Sequence, residues 1–334
     1  MYVIAEAGVN HNGDIELAKE LVRKAKDCGA DCVKFQTFKA ERIVLRDAPK
    51  APYQLDNTNP SEPQIEMLRK LELATEHYPA LMEICIKEDI EFLSTPYSVE
   101  DVEFLDKLGV RAFKIASGQI IEPAFLRHVA LKGKPIILST GMASFQEVHE
   151  AVEVIRSTGN DQLILLQCTT NYPCRPEDVN LRAMQTIEVS LKTIIGYSDH
   201  TQSEAASIAA VAMGACVIEK HFTLDKSMPG PDQLSSADPD DFRRLVKLLR
   251  EAQTALGSEV KRPVEVELKN AVAMRRSIVS ARFIPSGSVI TEGMLSYKRP
   301  GTGIPPKQAD RIIGRKALRD IPPDTLLSFE FLSD

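Results

Sequence analysis

Met1-Tyr2-Val3-Ile4-Ala5-Glu6-Ala7-Gly8-Val9-Asn10-His11-Asn12-Gly13 opens the chain, an apolar run that passes straight into a polar turn. A near-continuous apolar run of this kind reads as a strand buried on both faces, as in parallel sheets. The turn separates the two common parallel architectures. A doubly wound open sheet usually carries a Gly-rich dinucleotide turn after its first strand. Gly8 and Gly13 lack that spacing. The reading therefore favours a (β/α)8 TIM barrel, with the open sheet as the alternative.

Seven more short β-rich runs follow, at 32–37, 91–95, 112–116, 135–139, 163–167, 193–197 and 216–220. Between them lie stretches with a 3.6-residue apolar period: Ile15 to Cys28, Gln64 to Lys87, Phe145 to Ile155 and Asp241 to Leu256. Eight such units within the first 257 residues match the count and length of a barrel. Past Gly257 the pattern changes. Residues 258–273 are charged, hold Pro263 and lack an apolar face, and read as a linker. Residues 274–334 form a small β-rich piece, too short for a large core of its own.

Composition narrows the function classes. Lys+Arg 41 against Asp+Glu 47 gives a net charge of −6. That balance opposes non-specific nucleic-acid binding, which depends on neutralising phosphates. No apolar run approaches the ~20 residues that cross a bilayer, so no membrane role is expected. The N-terminus reaches Glu6 without a basic segment and reads as no signal peptide. The six cysteines (Cys28, Cys32, Cys85, Cys168, Cys174, Cys216) contain no C-x-x-C pair. They read as buried, reduced thiols of a cytoplasmic protein. Cys28 and Cys32 on one helix turn would be weak evidence for a metal site.

Barrel active sites sit at the carboxyl ends of the strands, and polar residues collect there: Glu6, Lys34 with Gln36, Ser94-Thr95, Lys114 with Ser117, Ser139-Thr140, Thr169-Thr170 with Tyr172, Ser198-Asp199-His200 and Glu219-Lys220-His221. Two lysines inside closed-barrel strands need anionic partners. With Ser117, Ser139 and Ser198 as hydroxyl donors, the natural occupant is a phosphate or carboxylate. Internal pairing with Glu6 or Glu219 is the alternative. His200 and His221 end neighbouring strands, where two imidazoles can converge on one divalent ion. Mn²⁺, Mg²⁺, Co²⁺ and Zn²⁺ all suit such an open site. A buried, hydrogen-bonded histidine is the plainer reading of each alone. His77, His128 and His149 fall in helical stretches and read as surface residues. His11 lies in a loop beside the site, in a possible supporting place.

These residues carry a resemblance. Ala5-Glu6-Ala7-Gly8-Val9-Asn10-His11-Asn12-Gly13, Val33-Lys34-Phe35-Gln36-Thr37, Leu93-Ser94-Thr95-Pro96, Lys114-Ile115-Ala116-Ser117-Gly118, Leu138-Ser139-Thr140-Gly141-Met142, Gly196-Tyr197-Ser198-Asp199-His200 and Glu219-Lys220-His221-Phe222-Thr223-Leu224 resemble the sialic acid synthases, as do Gly230-Pro231-Asp232 and Lys298-Arg299-Pro300-Gly301. The terminal piece resembles their antifreeze-like (SAF) domain. The resemblance implies condensation of phosphoenolpyruvate with an open-chain N-acetylated hexosamine, N-acetylmannosamine first. C–O cleavage releases phosphate and leaves a nine-carbon 2-keto sugar acid. It implies that Lys34, Lys114, Ser117, Ser139 and Ser198 hold phosphoenolpyruvate. Gln36, Thr95, Gln119, Tyr172, Asp232 and Arg299 meet the sugar, and His200 and His221 bind a divalent metal, manganese before magnesium or cobalt. Glu6, Asp232 and Arg299 are the catalytic candidates. Arg299 matches an arginine that the family's terminal domain places in the active site of the partner subunit, which implies a domain-swapped homodimer.

Three departures stand near the acceptor half. Many sialate synthases carry Glu after Ser117-Gly118, then Asn three residues on; here Gln119 and Glu122 occupy those places. After Gly230-Pro231-Asp232 a His is common; here Gln233 follows. The alternatives to N-acetylmannosamine are therefore other amino sugars, those of legionaminate synthases first and of pseudaminate synthases next. A Schiff-base aldolase would need a desolvated lysine and release no phosphate. A non-catalytic sugar-binding or ice-binding protein would have no use for two lysines and two histidines at strand ends.

Overall fold

The computed structural model describes residues 1–333. Eight parallel strands form one sheet: β1 (Tyr2–Gly8), β2 (Cys32–Thr37), β3 (Glu91–Pro96), β4 (Phe113–Ile115), β5 (Ile136–Ser139), β6 (Leu163–Cys168), β7 (Ile194–Asp199) and β8 (Val217–His221). Their order is β3-β2-β1-β8-β7-β6-β5-β4. β3 and β4 pack side by side without a ladder between them, which closes the TIM barrel. The helices Ile15–Asp27, Tyr78–Lys87, Val99–Leu108, Pro123–Ala130, Phe145–Arg156, Arg182–Leu191, Ala205–Ala212 and Pro239–Leu256 complete the alternation.

The first of these helices shows how sequence builds each unit. The Asp14 carboxylate accepts from the Glu16 and Leu17 amides at its start, satisfying two donors that lack helical partners. Ala18, Leu21, Val22 and Ala25 then fall on one buried face. Gly29 follows at φ +88°, where a side chain would be strained.

Side chains alternate across a strand, and that period organises the barrel interior. Ile4, Cys32, Leu93, Ile137, Leu166 and Val217 meet in one apolar cluster, the barrel floor. Two residues further along the same six strands stand Glu6, Lys34, Thr95, Ser139, Cys168 and Glu219. One step of the pleat thus turns an apolar layer into a polar one. Gly196 contributes no side chain to the floor. A Cβ there would stand 2.6 Å from both a Leu166 methyl carbon and the Val217 carbonyl oxygen.

Three expectations change. The Gln64–Lys87 stretch is two helices, Gln64–Arg69 and Tyr78–Lys87, separated by a short turn. Pro79 explains the break: it lacks an N–H, fits the first turn of a helix and interrupts a longer one. Cys28 caps the first helix while Cys32 lies in β2, so the two do not share a helix turn. Cys216 is exposed; the other five cysteines are buried and all six are free.

The chain divides into two compact units, Met1–Gly257 and Ser258–Asp334. The expected linker contains a helix, Glu265–Met274. Glu267 accepts from the Val264 amide at its start, and Lys269 pairs with Glu265 at 3.2 Å. These local contacts support the helix without the buried face on which apolar periodicity depends. Beyond it, β9 (Ser277–Ser280) pairs antiparallel with β10 (Leu295–Lys298). Ile278, Ile284, Ile290, Ile312, Ile321 and Leu327 lie in a small separate core. Among the described residues no helix is long and apolar enough to cross a membrane.

Candidate active site

A cavity of about 530 Å³ opens at the carboxyl ends of the barrel strands. Its inner wall is the polar layer above the floor. Lys34 Nζ lies 2.7 Å from Glu6 Oε2 and 3.8 Å from Glu219 Oε2, and donates to Thr95 Oγ1 at 3.2 Å. Lys114 Nζ donates to Ser139 Oγ at 2.7 Å and stands 3.5 Å from Glu219 Oε1. Ser198 donates to that same Glu219 oxygen at 3.1 Å. Gln36 Nε2 donates to Glu6 Oε1 at 3.0 Å, and Tyr97 donates to Gln36 Oε1 at 3.4 Å. The internal pairing weighed from sequence is therefore present. Two ammonium groups face two carboxylates, all four buried.

Strand register explains the pairing. Glu6 stands opposite Lys34 on β2 and opposite His221 on β8, and Ser198 stands opposite Glu219. The β1–β2 register shifts between Glu6 and Gly8. At Gly8, φ is +53°, and a Cβ would stand 3.2 Å from Glu6 Oε1. Glycine there leaves room for the Glu6–Gln36 contact.

The charges act unequally. Burial pushes Glu6 above the usual carboxylate range, opposed by Lys34 and reinforced by Glu219. Burial acts the same way on Glu219, but Lys114 and Lys34 outweigh it and hold that carboxyl low. Lys34 stays high despite burial because it faces Glu219 and Glu6. Lys114 is lowered by burial, which Glu219 only partly opposes. The site thus has one firmly ionised carboxylate between two lysines, and a second that protonates more readily.

Above this layer the imidazoles of His200 and His221 lie with ring centroids 5.4 Å apart. Tyr172 packs on both, at 4.2 and 5.4 Å, and Tyr53 packs on Tyr172 at 4.9 Å. His200 Nδ1 pairs with the Thr169 carbonyl at 2.8 Å. That contact places a proton on Nδ1, so that Nε2 is the nitrogen free for a ligand in the neutral ring. Burial lowers the His200 pKa, but Cys168 and the Thr169 carbonyl outweigh it and leave it raised. His221 is driven well below its ordinary pKa by burial, then by His200 and Lys34, and is held neutral as metal binding requires. Its Nδ1 has no hydrogen-bond partner and lies 3.8 Å from Asp232 Oδ2. Burial raises Asp232 to about 6, with Glu6 adding to the effect. Among the described residues no three His, Cys, Asp or Glu side chains form a ready metal cage. Two imidazoles with oxygen ligands from substrate and water nonetheless suit a divalent ion in an open site.

Of the residues singled out from sequence, Glu6, Lys34, Gln36, Thr95, Lys114, Ser117, Gln119, Ser139, Tyr172, Ser198, His200, His221 and Asp232 all line this one cavity. Arg299 lies in the second unit, exposed, its Nε donating to the Met274 carbonyl at 3.1 Å. Gln119 and Glu122 line the cavity, but Gln233 does not. Gln233 is buried, and its Nε2 donates to the Asn10 carbonyl at 3.0 Å. Its departure thus bears on how two loops meet and leaves the cavity wall unchanged. His11 is fully buried against Phe35, accepting from the Gly13 amide at 3.0 Å. Tyr53 and Tyr97 were not singled out. Tyr97 follows the quoted Thr95-Pro96 and was within reach of the motif. Tyr53 comes from the long β2–β3 connection, which carries no local signal for folding back over the barrel.

A parallel barrel with paired lysines, hydroxyls and two imidazoles at its strand ends is the arrangement that the resemblance to the phosphoenolpyruvate-using synthases of sugar acids implies, and similarity to known proteins places the chain in that class. Residues 21–261 match the NeuB family and residues 275–333 the SAF domain, and the chain belongs to the NeuB family. It is 46% identical to the N,N'-diacetyllegionaminic acid synthase of Legionella pneumophila, over 99% of this chain and 94% of that protein. The N,N'-diacetyllegionaminic acid synthase of Campylobacter jejuni is 45% identical, over 97% and 98%. A crystal structure of N-acetylneuraminic acid synthetase from Leptospira borgpetersenii, in complex with citrate, aligns with a TM-score of 0.71. Its identity is 33%, covering 80% of this chain and 89% of that one. The family's substrates are phosphoenolpyruvate and an N-acetylated hexosamine-type sugar.

Proposed function

We propose that the chain is an N,N'-diacetyllegionaminate synthase, joining phosphoenolpyruvate to an open-chain 2,4-diacetamido sugar. The carrying observation is that two legionaminic acid synthases share 46% and 45% identity over nearly its full length. N-acetylmannosamine, the acceptor first expected from the motifs, becomes the second reading, favoured by the sialic acid synthetase structure at 33% identity.

Phosphoenolpyruvate takes the polar layer, its phosphate and carboxylate replacing Glu6 and Glu219 as partners of Lys34 and Lys114. Ser117, Ser139 and Ser198 donate to its remaining oxygens. The acceptor lies above, between Tyr172, Gln36, Thr95, Gln119 and Asp232. A divalent ion, manganese in the first instance, is held by His200 and His221, and when bound supplies Lewis-acid polarisation of the acceptor aldehyde. C3 of phosphoenolpyruvate forms the new bond to the aldehyde carbon, whose oxygen takes a proton. Water adds at C2 and gives up a proton, and the C2–O bond breaks as phosphate leaves. Glu6, oriented by Gln36, stabilises the positive C2 and accepts the proton of the water. Arg299 reaches the sugar from the partner subunit of a domain-swapped dimer.

The test is phosphate release from phosphoenolpyruvate with Mn²⁺ across N-acetylmannosamine, mannose and the 2,4-diacetamido precursors of legionaminic and pseudaminic acids. Release is expected fastest with the legionaminic precursor, and is lost on chelation and restored by Mn²⁺. A preference for N-acetylmannosamine would overturn the acceptor, and full activity after exhaustive chelation would overturn the metal.

A further inference from the structure

The cavity wall holds a buried carboxamide that makes no side-chain hydrogen bond inside the protein. Gln119 is 5% exposed, and neither Oε1 nor Nε2 has a hydrogen-bond partner. A buried carboxamide left in that state is costly unless a ligand or water satisfies it. The backbone fixes its position. The turn Ser117–Gln119 follows β4, the Gln119 amide donates to the Ala116 carbonyl at 3.1 Å, and the Glu122 amide donates to the Gln119 carbonyl at 3.1 Å.

Each of the other carboxamides lining the cavity donates one hydrogen bond inside the protein. Gln36 donates to Glu6 at 3.0 Å, Gln54 to the Tyr53 hydroxyl at 3.4 Å, and Gln64 to Gln54 Oε1 at 3.1 Å. Gln119 alone among these four makes no hydrogen bond through either polar atom of its side chain. It is neutral, so it does not compete for the lysines. An acetamido group matches it. The carbonyl oxygen of that group is the strongest neutral acceptor on an amino sugar and takes an Nε2 hydrogen. A neighbouring hydroxyl or amide hydrogen goes to Oε1.

We propose that Gln119 selects the acceptor by donating to an acetamido carbonyl, favouring a 2,4-diacetamido sugar over the same sugar with a hydroxyl at C4. This rests on the acceptor reading of the preceding section and assigns it to one side chain. A site built to pair a specific polar group discriminates strongly against the analogue lacking it.

The test compares kcat/KM for the two matched acceptors, in the full-length enzyme and in Gln119→Glu and Gln119→Met. Glu keeps the shape and exchanges the donor for an acceptor; Met keeps the bulk and removes both polar atoms. In both variants the ratio of diacetamido to 4-hydroxy acceptor is expected to fall about tenfold or more. KM for phosphoenolpyruvate and the unfolding temperature should stay near those of the parent. If one variant fails to fold, the other carries the comparison. A wild-type enzyme that prefers the 4-hydroxy acceptor would overturn the underlying reading. A wild-type preference for the diacetamido sugar with an unchanged ratio in the variants would overturn the role of Gln119 alone.

Discussion

Lys114 and His11 show two uses of burial at the scale of single residues. Lys114 stands 3.5 Å from Glu219 and 2.7 Å from Ser139. Lys114→Met removes a cation from a buried pair, which by itself costs about 3–5 kcal/mol. Here Glu219 keeps Lys34 at 3.8 Å and Ser198 at 3.1 Å, so the expected loss of stability is smaller, about 1–3 kcal/mol. Phosphoenolpyruvate kcat/KM should fall by at least about 100-fold, read from phosphate release, and Lys114→Arg should not restore it, since a planar fork does not replace a point charge. His11 works through protonation. Burial lowers its pKa from 6.5 to about 4, so between those values the unfolded chain binds more protons than the folded one. Stability from this group is complete above about pH 6.5 and is lost as pH falls towards 4, by up to about 3 kcal/mol. His11→Gln should flatten that part of the stability–pH curve, measured by denaturant unfolding. An unchanged slope would count against the assignment.

The strand is the unit that makes the site, because six of the eight carry a floor residue and, two positions on, a residue of the polar layer. Gly196 is where this spacing is tightest. Gly196→Ala places a Cβ 2.6 Å from Leu166 and Val217, and should cost about 1–3 kcal/mol as overpacking, visible as a lowered denaturation midpoint. Displacement of β7 would carry Ser198 with it, so KM for phosphoenolpyruvate should rise as well. All eight strands were legible in sequence, to within two residues at each end, since each is a local apolar run ending in polar residues. Elements whose cause is not apolar periodicity were less legible. The helix Glu265–Met274 rests on Glu267 and Lys269 with no buried face, and Pro79 divides a stretch whose period reads as continuous. The direction of a loop side chain was not legible either. Gln233 follows Asp232 by one residue, yet the first turns to Asn10 and the second to the cavity.

In the molecule as a whole, thirteen of the fourteen site residues expected from sequence line a single cavity in the first unit, and Arg299 belongs to the second. If Arg299 acts across subunits, Arg299→Ala and Lys114→Met homodimers should each be poorly active, and mixing them with subunit exchange should restore part of the rate. No recovery after confirmed exchange would sink the swapped arrangement. The barrel floor has a consequence for timing. Ile4, Cys32, Leu93, Ile137, Leu166 and Val217 close the cavity from below, so both substrates pass through one mouth. Lys34 and Lys114 stand directly on that floor, whereas Tyr172, Asp232 and Gln119 lie further out along the chain from the strand ends. Whatever occupies the lysines must arrive before the acceptor covers it. Steady-state kinetics should therefore be sequential and ordered, with an acceptor analogue inhibiting uncompetitively against phosphoenolpyruvate. Inorganic phosphate, born at the bottom of a one-ended well, should leave after the sugar acid that sits above it.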